Sequence, residues 1–99
     1  GILYRDVFLQ AEKEFSAYNF EIANVNNLFK IFDMIEQEAK ILLEKKLPLP
    51  AYDQCLKASH VFNILDARGA ISVAQRAEFI AEIRDMTKGV GQAWIDNQK

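Results

Sequence analysis

Cysteine, histidine, glycine and proline are all scarce in this chain of 99 residues, which holds one, one, four and two of them. A single cysteine, Cys55, cannot form an internal disulfide, so a secreted, disulfide-stapled scaffold is excluded and the reducing cytoplasm is expected. One histidine and one cysteine also give a transition-metal site few of its usual ligands. The longest apolar runs span a few residues, far below the roughly 20 that a membrane helix needs, so no membrane contact is expected.

An excess of charge of one sign is lacking as well. Twelve basic against fourteen acidic residues leave a formal charge of −2, which gives no cationic field for non-specific nucleic-acid binding. Apolar residues make up 51% and charged residues 26%, as in an ordinary folded domain and unlike a disordered tail. Residues 1–6 contain neither an initiator methionine nor a signal-peptide pattern, so we expect a part of a longer protein.

Helical periodicity is clearest from about Asn24 to Lys46. The apolar residues there recur every three or four positions and define one face: Val25, Leu28, Phe32, Ile35, Ala39 and Leu42. Asn24 suits an N-cap, and Lys45 and Lys46 suit the negative end of the helix dipole. This segment is therefore predicted to be the first main helix.

Two further main helices are predicted on either side of Gly69, which is expected to adopt a left-handed conformation just beyond a helix end. The second begins near Pro50, with a buried stripe of Tyr52, Cys55, Leu56, Ser59, Phe62 and Leu65. The third begins at Ser72, whose spacing from Gln75 fits a capping box. Its predicted stripe is Val73, Ile80, Ile83, Thr87, Val90 and Trp94. Gly89 and Gly91 interrupt this helix, and we expect another helix or subunit to pack closely on their side.

The first 23 residues show weaker periodicity. A short helix over residues 6–15 is predicted, with Val7, Phe8 and Phe15 facing inward, followed by an ordered connection. Short connections favour antiparallel neighbours, so the fold class is predicted to be an all-α antiparallel bundle. Residues 24–99 form that bundle of three main helices, and residues 1–23 form a leading segment that links it to a preceding domain.

No catalytic constellation is visible in the sequence. Cys55 lies on a predicted apolar stripe, five positions from His60, so the two need not share a helix face. A core position for Cys55, and a surface or interface position for His60, are therefore favoured over a cysteine nucleophile or a metal site. Gly89-Val90-Gly91 lacks the strand and the lysine of a phosphate-binding loop, and the many carboxylates fit solvated helix faces.

Two clusters leave more than one interpretation open. One lies at the end of the second helix and consists of His60, Asn63, Asp66 and Arg68. It fits a capping and ion-pair network, with Asp66 and Arg68 paired, and it also fits a surface that holds a partner. The other consists of Tyr18, Asn19 and Phe20. Its aromatic groups could stack on a nucleic-acid base or could anchor a loop on the core.

Three blocks of sequence resemble a known family. They are Leu-Pro-Leu-Pro-Ala-Tyr-Asp-Gln at 47–54, Leu-Lys-Ala-Ser-His at 56–60 and Phe-Asn-Ile-Leu-Asp-Ala-Arg-Gly-Ala-Ile-Ser-Val at 62–73. Upstream, Ser-Ala-Tyr-Asn-Phe-Glu at 16–21 continues the match. Together they resemble the C-terminal part of the α subunit of bacterial heterotetrameric glycyl-tRNA synthetase, over nearly the whole chain.

The resemblance implies a class II aminoacyl-tRNA synthetase that uses ATP and Mg²⁺ to make glycyl-adenylate from glycine. It implies a β subunit needed to charge tRNA(Gly), a second α subunit and an α2β2 assembly in the cytoplasm. The class II motifs lie upstream in the family and are not matched here. No catalytic residue, ATP ligand or metal ligand is therefore assigned to this chain, and the fragment alone is expected to be inactive.

The expected role of this segment is structural, or one of contact with a subunit or with tRNA. The hairpin that contains Gly69, Ser72, Gly89 and Gly91 is the preferred part of an inter-subunit surface. The alternative is a free-standing helical interaction module that shares the ancestry but not the synthetase role. A reading frame that continues upstream into a domain with class II motifs would separate the two.

Overall fold

A computed structural model describes residues 4–18 and 24–98, and every regular element in these two ranges is a helix. In chain order the helices are α1 (Tyr4–Ala17), α2 (Val25–Glu44), α3 (Pro48–Ala67) and α4 (Val73–Asn97). The predicted all-α class, with three main helices and a shorter leading one, is confirmed.

Helices α2, α3 and α4 pack against one another in all three pairings. The connections 45–47 and 68–72 are so short that α3 must run antiparallel to both neighbours. Contacts between α2 and α4 then advance in the same direction along both helices: Phe32 meets Phe79, Leu43 meets Gly89 and Lys46 meets Asp96. The core lies along the common axis of these three helices.

The aromatic side chain of Phe79 sits where the three helices meet. Its ring centre lies 4.6 Å from that of Phe32 of α2, with the planes at 89°, an edge-to-face contact. Phe29 of α2 and Phe62 of α3 place their rings 5.9 and 6.0 Å away. Phe32 itself is fully buried. These four rings therefore join the first half of α2, the second half of α3 and the first half of α4.

The predicted stripe of α2 is confirmed. Leu28, Phe32, Ile35 and Ala39 are buried, and Val25 and Phe29 pack at the edge of the same core. Asn24 caps the helix as expected, because its Oδ1 accepts a hydrogen bond from the backbone N–H of Asn27 at 2.9 Å.

The predicted stripe of α3 is confirmed in part. Cys55 and Leu65 are buried and Phe62 packs at the edge of the core, but Tyr52 and Leu56 are 48% and 53% exposed. The helix buries Pro48, Ala51, Cys55, Ala58, Val61, Ile64 and Leu65, so small residues take the place of Tyr52 and Leu56 in its first half. The helix also begins at Pro48, two residues earlier than predicted, since a first-turn proline needs no amide hydrogen.

The predicted stripe of α4 is displaced by one position. Val73, Ile80 and Trp94 are 88%, 40% and 50% exposed. The side chains that face the core are instead Phe79, Ile83, Met86, Val90 and Ala93. Three-four spacing is present on both phases of this helix, and the two share Ile83 and Val90. Phe79 and Met86 decide between them, because they fill the space between α2 and α3.

The backbone conformation of Lys46 at the end of α2 was not predicted from the sequence. Its φ of 58° is left-handed, a conformation usually taken by glycine. The amides of Lys46 and Leu47 donate to the carbonyls of Leu43 and Leu42, which is the Schellman pattern of a helix end. The side chain does not serve the α2 dipole as predicted. It reaches Asp96 of α4 at 2.9 Å.

Helix α1 makes no contact with α2, α3 or α4 among the residues that the structure describes. The prediction that Val7, Phe8 and Phe15 face inward is therefore wrong. They are 55%, 51% and 67% exposed. The helix itself forms as expected and is slightly longer than the predicted range of 6–15. Its apolar residues have the spacing of a buried face, but the described part of the chain offers no element to cover them.

Phe32→Ala is expected to lower the free energy of unfolding by about 3–5 kcal/mol, because it empties a fully buried site and removes the edge-to-face contact with Phe79. Urea denaturation followed by circular dichroism measures this. Met34→Ala, on the exposed side of the same helix, is the matched control and should change stability by less than about 0.5 kcal/mol. Equal stability of the two variants would contradict the assigned core.

Candidate subunit interface

The turn between α3 and α4 is built by backbone hydrogen bonds around Gly69. The amide of Gly69 donates to the carbonyl of Asp66 at 3.0 Å, and that of Ala70 donates to Leu65 at 3.1 Å. Gly69 has a φ of 65°, so the predicted left-handed conformation is confirmed. An ideal Cβ at Gly69 would have no atom within 4 Å, so its requirement for glycine comes from the backbone alone.

The start of α4 is fixed by a reciprocal pair of hydrogen bonds. The amide of Gln75 donates to Ser72 Oγ at 3.1 Å, and the amide of Ser72 donates to Gln75 Oε1 at 2.8 Å. The predicted capping box is thus confirmed. A salt bridge then crosses the turn, with Arg76 Nη2 3.3 Å from Asp66 Oδ2. Arg76 of the next helix is thus a partner of Asp66 that the sequence did not indicate, and the predicted pairing of Asp66 with Arg68 stays a prediction.

Gly69→Val is expected to destabilise the protein by about 1–2 kcal/mol or more, since a β-branched residue is strained at positive φ even where space is free. Gly69→Asn is the control, because asparagine tolerates the left-handed region and should lose much less. Thermal melting of both variants measures the difference. The interpretation fails if valine and asparagine prove equally well tolerated.

The other residues predicted to act with Asp66 are distributed over two surfaces. His60 is exposed and borders a groove between α2 and α3, whereas Asp66 faces α4 through Arg76. Asn63 is exposed and Arg68 is half-buried. His60 and Asp66 therefore face different neighbouring helices, and the grouping of all four residues stays a prediction.

Most of the aromatic cluster predicted in the leading segment lies outside the described residues. Tyr18, at the end of α1, is 47% exposed. Asn19 and Phe20 fall outside the described residues, so the choice between base stacking and loop anchoring stays open.

Gly89 and Gly91 occupy different environments, although both were predicted to face a close neighbour. An ideal Cβ on Gly89 would lie 2.7 Å from Leu43 Cδ1, so Gly89 admits the side chain of α2. An ideal Cβ on Gly91 would meet nothing within 4 Å. The close neighbour of Gly89 is therefore α2 of the same chain, whereas no described residue is the neighbour of Gly91, where a close subunit stays a prediction.

Gly91 shares its side of α4 with two exposed apolar residues. Trp94 and Ile95 follow it by three and four positions, which places all three on one face, and they are 50% and 54% exposed. We call Gly91, Trp94 and Ile95 the outer face of α4. This face presents the indole of Trp94, the branched aliphatic side chain of Ile95 and, at Gly91, helix backbone that carries no side chain.

Cys55 lies in the core between α3 and α4, as expected for a small hydrophobic residue. Burial raises the pKa of its thiol, and a hydrogen bond with Thr87 offsets this only in part. A raised pKa disfavours the thiolate that a nucleophile or metal ligand requires. In the ranges 4–18 and 24–98, no three His, Cys, Asp or Glu side chains are grouped as metal ligands.

A cleft between α2 and α4 is lined by several carboxylates. Glu36 of α2 and Glu82 and Asp85 of α4 border it, together with Lys40, whose Nζ lies 3.6 Å from Glu36. Partial burial raises the pKa of Glu82, and the charge of Glu36, a hydrogen bond with Glu36, and the charges of Asp33 and Glu78 raise it further. The cleft therefore places like charges on facing helices.

Glu82→Gln is expected to stabilise the bundle near pH 7. A carboxyl whose pKa is higher in the folded than in the unfolded protein costs stability when it ionises, so the penalty is present above the folded-state pKa. It fades as the pH falls through that pKa toward the ordinary glutamate value. The stability difference between variant and parent should thus shrink on acidification, as measured by urea denaturation at several pH values.

Glu38→Gln, on the exposed side of α2, serves as the control for Glu82→Gln, because it removes a carboxylate outside the cleft. A Glu82 variant that is less stable than the parent at pH 7, or whose advantage grows in acid, would contradict the assigned repulsion.

The helices that the structure describes include none with the length and apolar content needed to cross a membrane. In these ranges every regular element is a helix, and no three potential metal ligands are grouped.

Comparison with protein families identifies the origin of this segment. The family model described as glycyl-tRNA synthetase alpha subunit matches residues 1–99, the whole chain. The chain therefore belongs to the glycyl-tRNA synthetase α-subunit family, in agreement with the resemblance of residues 47–54, 56–60 and 62–73. Membership connects the bundle to an aminoacyl-tRNA synthetase and to translation.

Proposed function

We propose that this chain is the helical C-terminal part of a glycyl-tRNA synthetase α subunit and that it presents a surface to another subunit. The parent enzyme would activate glycine with ATP and Mg²⁺ to glycyl-adenylate and, with its β subunit, transfer glycine to tRNA(Gly). The residues described here offer no grouped ligands that fit a Mg²⁺ site. The activation chemistry is therefore assigned to other parts of the parent, and no catalytic step to this segment.

The observation that carries the proposed role is Gly91 on the outer face of α4. A glycine inside a helix costs about 1 kcal/mol relative to alanine. At Gly89 the close approach of Leu43 accounts for the absence of a side chain, but at Gly91 nothing in the described structure does. A partner that approaches the backbone at Gly91, with Trp94 as an anchor beside it, would account for both residues.

A protein subunit fits this face better than tRNA does. The three residues of the face are apolar or without a side chain, and the chain as a whole has a formal charge of −2, although Lys88 lies three positions before Gly91 on the same side of α4. Nucleic-acid binding depends mainly on cationic groups against phosphates. The β subunit of the parent complex is therefore the favoured partner of the outer face of α4.

Gly91→Gln in the full α subunit tests this proposal. Glutamine is a better helix former than glycine, and no described residue lies within 4 Å of that Cβ, so thermal melting of α should stay unchanged or rise slightly. It should weaken association with β at least tenfold, measured by titration calorimetry, and lower tRNA charging with it. Gly91→Ala, which adds only a methyl group, is the matched control and should weaken association less.

Normal assembly and normal charging by the Gly91→Gln enzyme would remove the outer face of α4 as the interface. The catalytic assignment has a separate readout. Glycine-dependent exchange of pyrophosphate into ATP, measured on the chain of 99 residues alone, should stay at background. Clear exchange would show that a site on this segment has been missed.

The alternative of a free-standing helical interaction module makes a different prediction about the gene. The proposed role requires a reading frame that encodes a class II catalytic domain ahead of this segment. A frame that encodes the bundle without such a domain would favour the module.

A further inference from the structure

The acidic side chains in the second half of α4 lie toward α2. Glu82 and Asp85 line the cleft between the two helices, and Asp96 forms its salt bridge with Lys46 at the end of α2. No other aspartate or glutamate occurs in the sequence between positions 79 and 98. The outward side of this stretch of helix therefore carries no carboxylate of its own.

Two cations occupy that outward side. Arg84, Lys88, Gly91 and Ile95 follow one another at intervals of four, three and four, so they form one row along the helix. Arg84 and Lys88 are both exposed, and within residues 4–18 and 24–98 no carboxylate forms a salt bridge with either of them. We call Arg84 and Lys88 the cationic row. It continues the outer face of α4 by about two helical turns toward the N-terminus.

Exposed isoleucines border the cationic row at its two ends. Ile80 precedes Arg84 by one turn and is 40% exposed, and Ile95 is 54% exposed. From Ile80 to Ile95 the row extends over about 22 Å of helix, at 1.5 Å per residue. A nucleic-acid backbone gains nothing from exposed isoleucines, whereas the centre of a protein interface buries them. The mixture of cations and aliphatic groups therefore favours a protein partner.

The charge of the cationic row selects among protein surfaces. Two exposed cations without carboxylate partners repel a cationic surface and attract an acidic one, because like charges brought together across an interface are costly. Gly91 lets the partner approach the helix closely, and Trp94 beside it offers a large apolar contact. A complementary surface therefore has an apolar patch opposite Gly91 and Trp94, with carboxylates one to two turns away.

We propose that the outer face of α4 and the cationic row together bind one acidic protein surface, whose carboxylates pair with Arg84 and Lys88. The inference names the chemistry of the partner and rests on the proposed function for the assignment of the outer face as a subunit interface. Charged groups at the edge of an interface act mainly on the rate of association and on orientation, because they attract the partner before contact. The cationic row is thus a steering element beside the apolar contact.

Charge reversal in the full α subunit tests the proposal through the rate of association with β. Arg84→Glu and Lys88→Glu should each slow association about tenfold in dilute buffer, measured by surface plasmon resonance. In about 0.5 M salt, where charges are screened beyond about 4 Å, the difference from the parent should largely vanish. Lys57→Glu, at an exposed position of α3, makes the same change in net charge and is the matched control, which should associate as the parent does.

Neutral variants separate the loss of attraction from the repulsion that a new glutamate introduces. Arg84→Gln and Lys88→Gln should slow association less than the glutamate variants do, and each should lower the salt dependence of the association rate. All four variants should melt at the temperature of the parent, since both side chains are exposed. Should a glutamate disturb folding, the glutamine variants decide the test alone.

Failure of this inference can be told apart from failure of the proposed function. If Gly91→Gln weakens the association with β and no variant of the cationic row slows it, the outer face is an interface whose partner is not acidic, and only the inference falls. If neither kind of variant changes the association, both fall. If the glutamate variants associate normally with β but raise the KM for tRNA(Gly) in charging, the row binds phosphates, and the protein partner is overturned.

Discussion

The edge-to-face contact of Phe79 with Phe32 is the interaction on which the arrangement of the three packed helices depends. Among the described residues, Phe79 of α4 is the ring that contacts aromatic rings of both α2 and α3. Because Phe79 reaches both α2 and α3, the rotation of α4 about its own axis is fixed there. Every other surface of α4 takes its position from that rotation, including the cleft of Glu82 and the outer face of Gly91.

Small residues supply the second constraint. Ala51, Cys55 and Ala58 lie on the buried side of α3, Ala39 on that of α2 and Ala93 on that of α4. Where these residues lie, little side-chain volume separates the helices. Gly89 continues this tendency, since it admits Leu43 where any other residue would require that side chain to move. The bundle thus combines a cluster of four aromatic rings with contacts through small residues elsewhere along its length.

Features that depend on local chemistry were predictable from the sequence. The N-cap at Asn24, the left-handed Gly69 and the capping box of Ser72 each involve residues within a few positions of one another. The stripe of α2 was predictable because Leu28, Phe32 and Ile35 repeat at intervals of three and four, although Ile31, Met34 and Ile41 stay exposed outside it.

Features decided by the neighbouring helices were not predictable in the same way. In the first half of α3 the sequence favoured Tyr52 and Leu56, which the structure leaves exposed, because hydrophobicity alone ranks them above Ala51 and Ala58. On α4 two phases of equal spacing competed, and only the position of α2 and α3 selects the one with Phe79. The environments of Gly89 and Gly91 differ for the same reason, because no local signal tells a glycine that faces Leu43 from one that faces solvent.

The left-handed backbone at Lys46 makes the far end of the chain part of the α2–α3 corner. The carbonyl of Lys46 accepts a hydrogen bond from Asn97 at 3.0 Å, and its ammonium meets Asp96 at 2.9 Å. These contacts join residues about fifty positions apart, so the last turn of α4 holds the left-handed corner at Lys46 in place. Cleavage of the chain just before Asp96 would thus remove two contacts that hold the corner between α2 and α3, although the cut lies about fifty positions away in sequence.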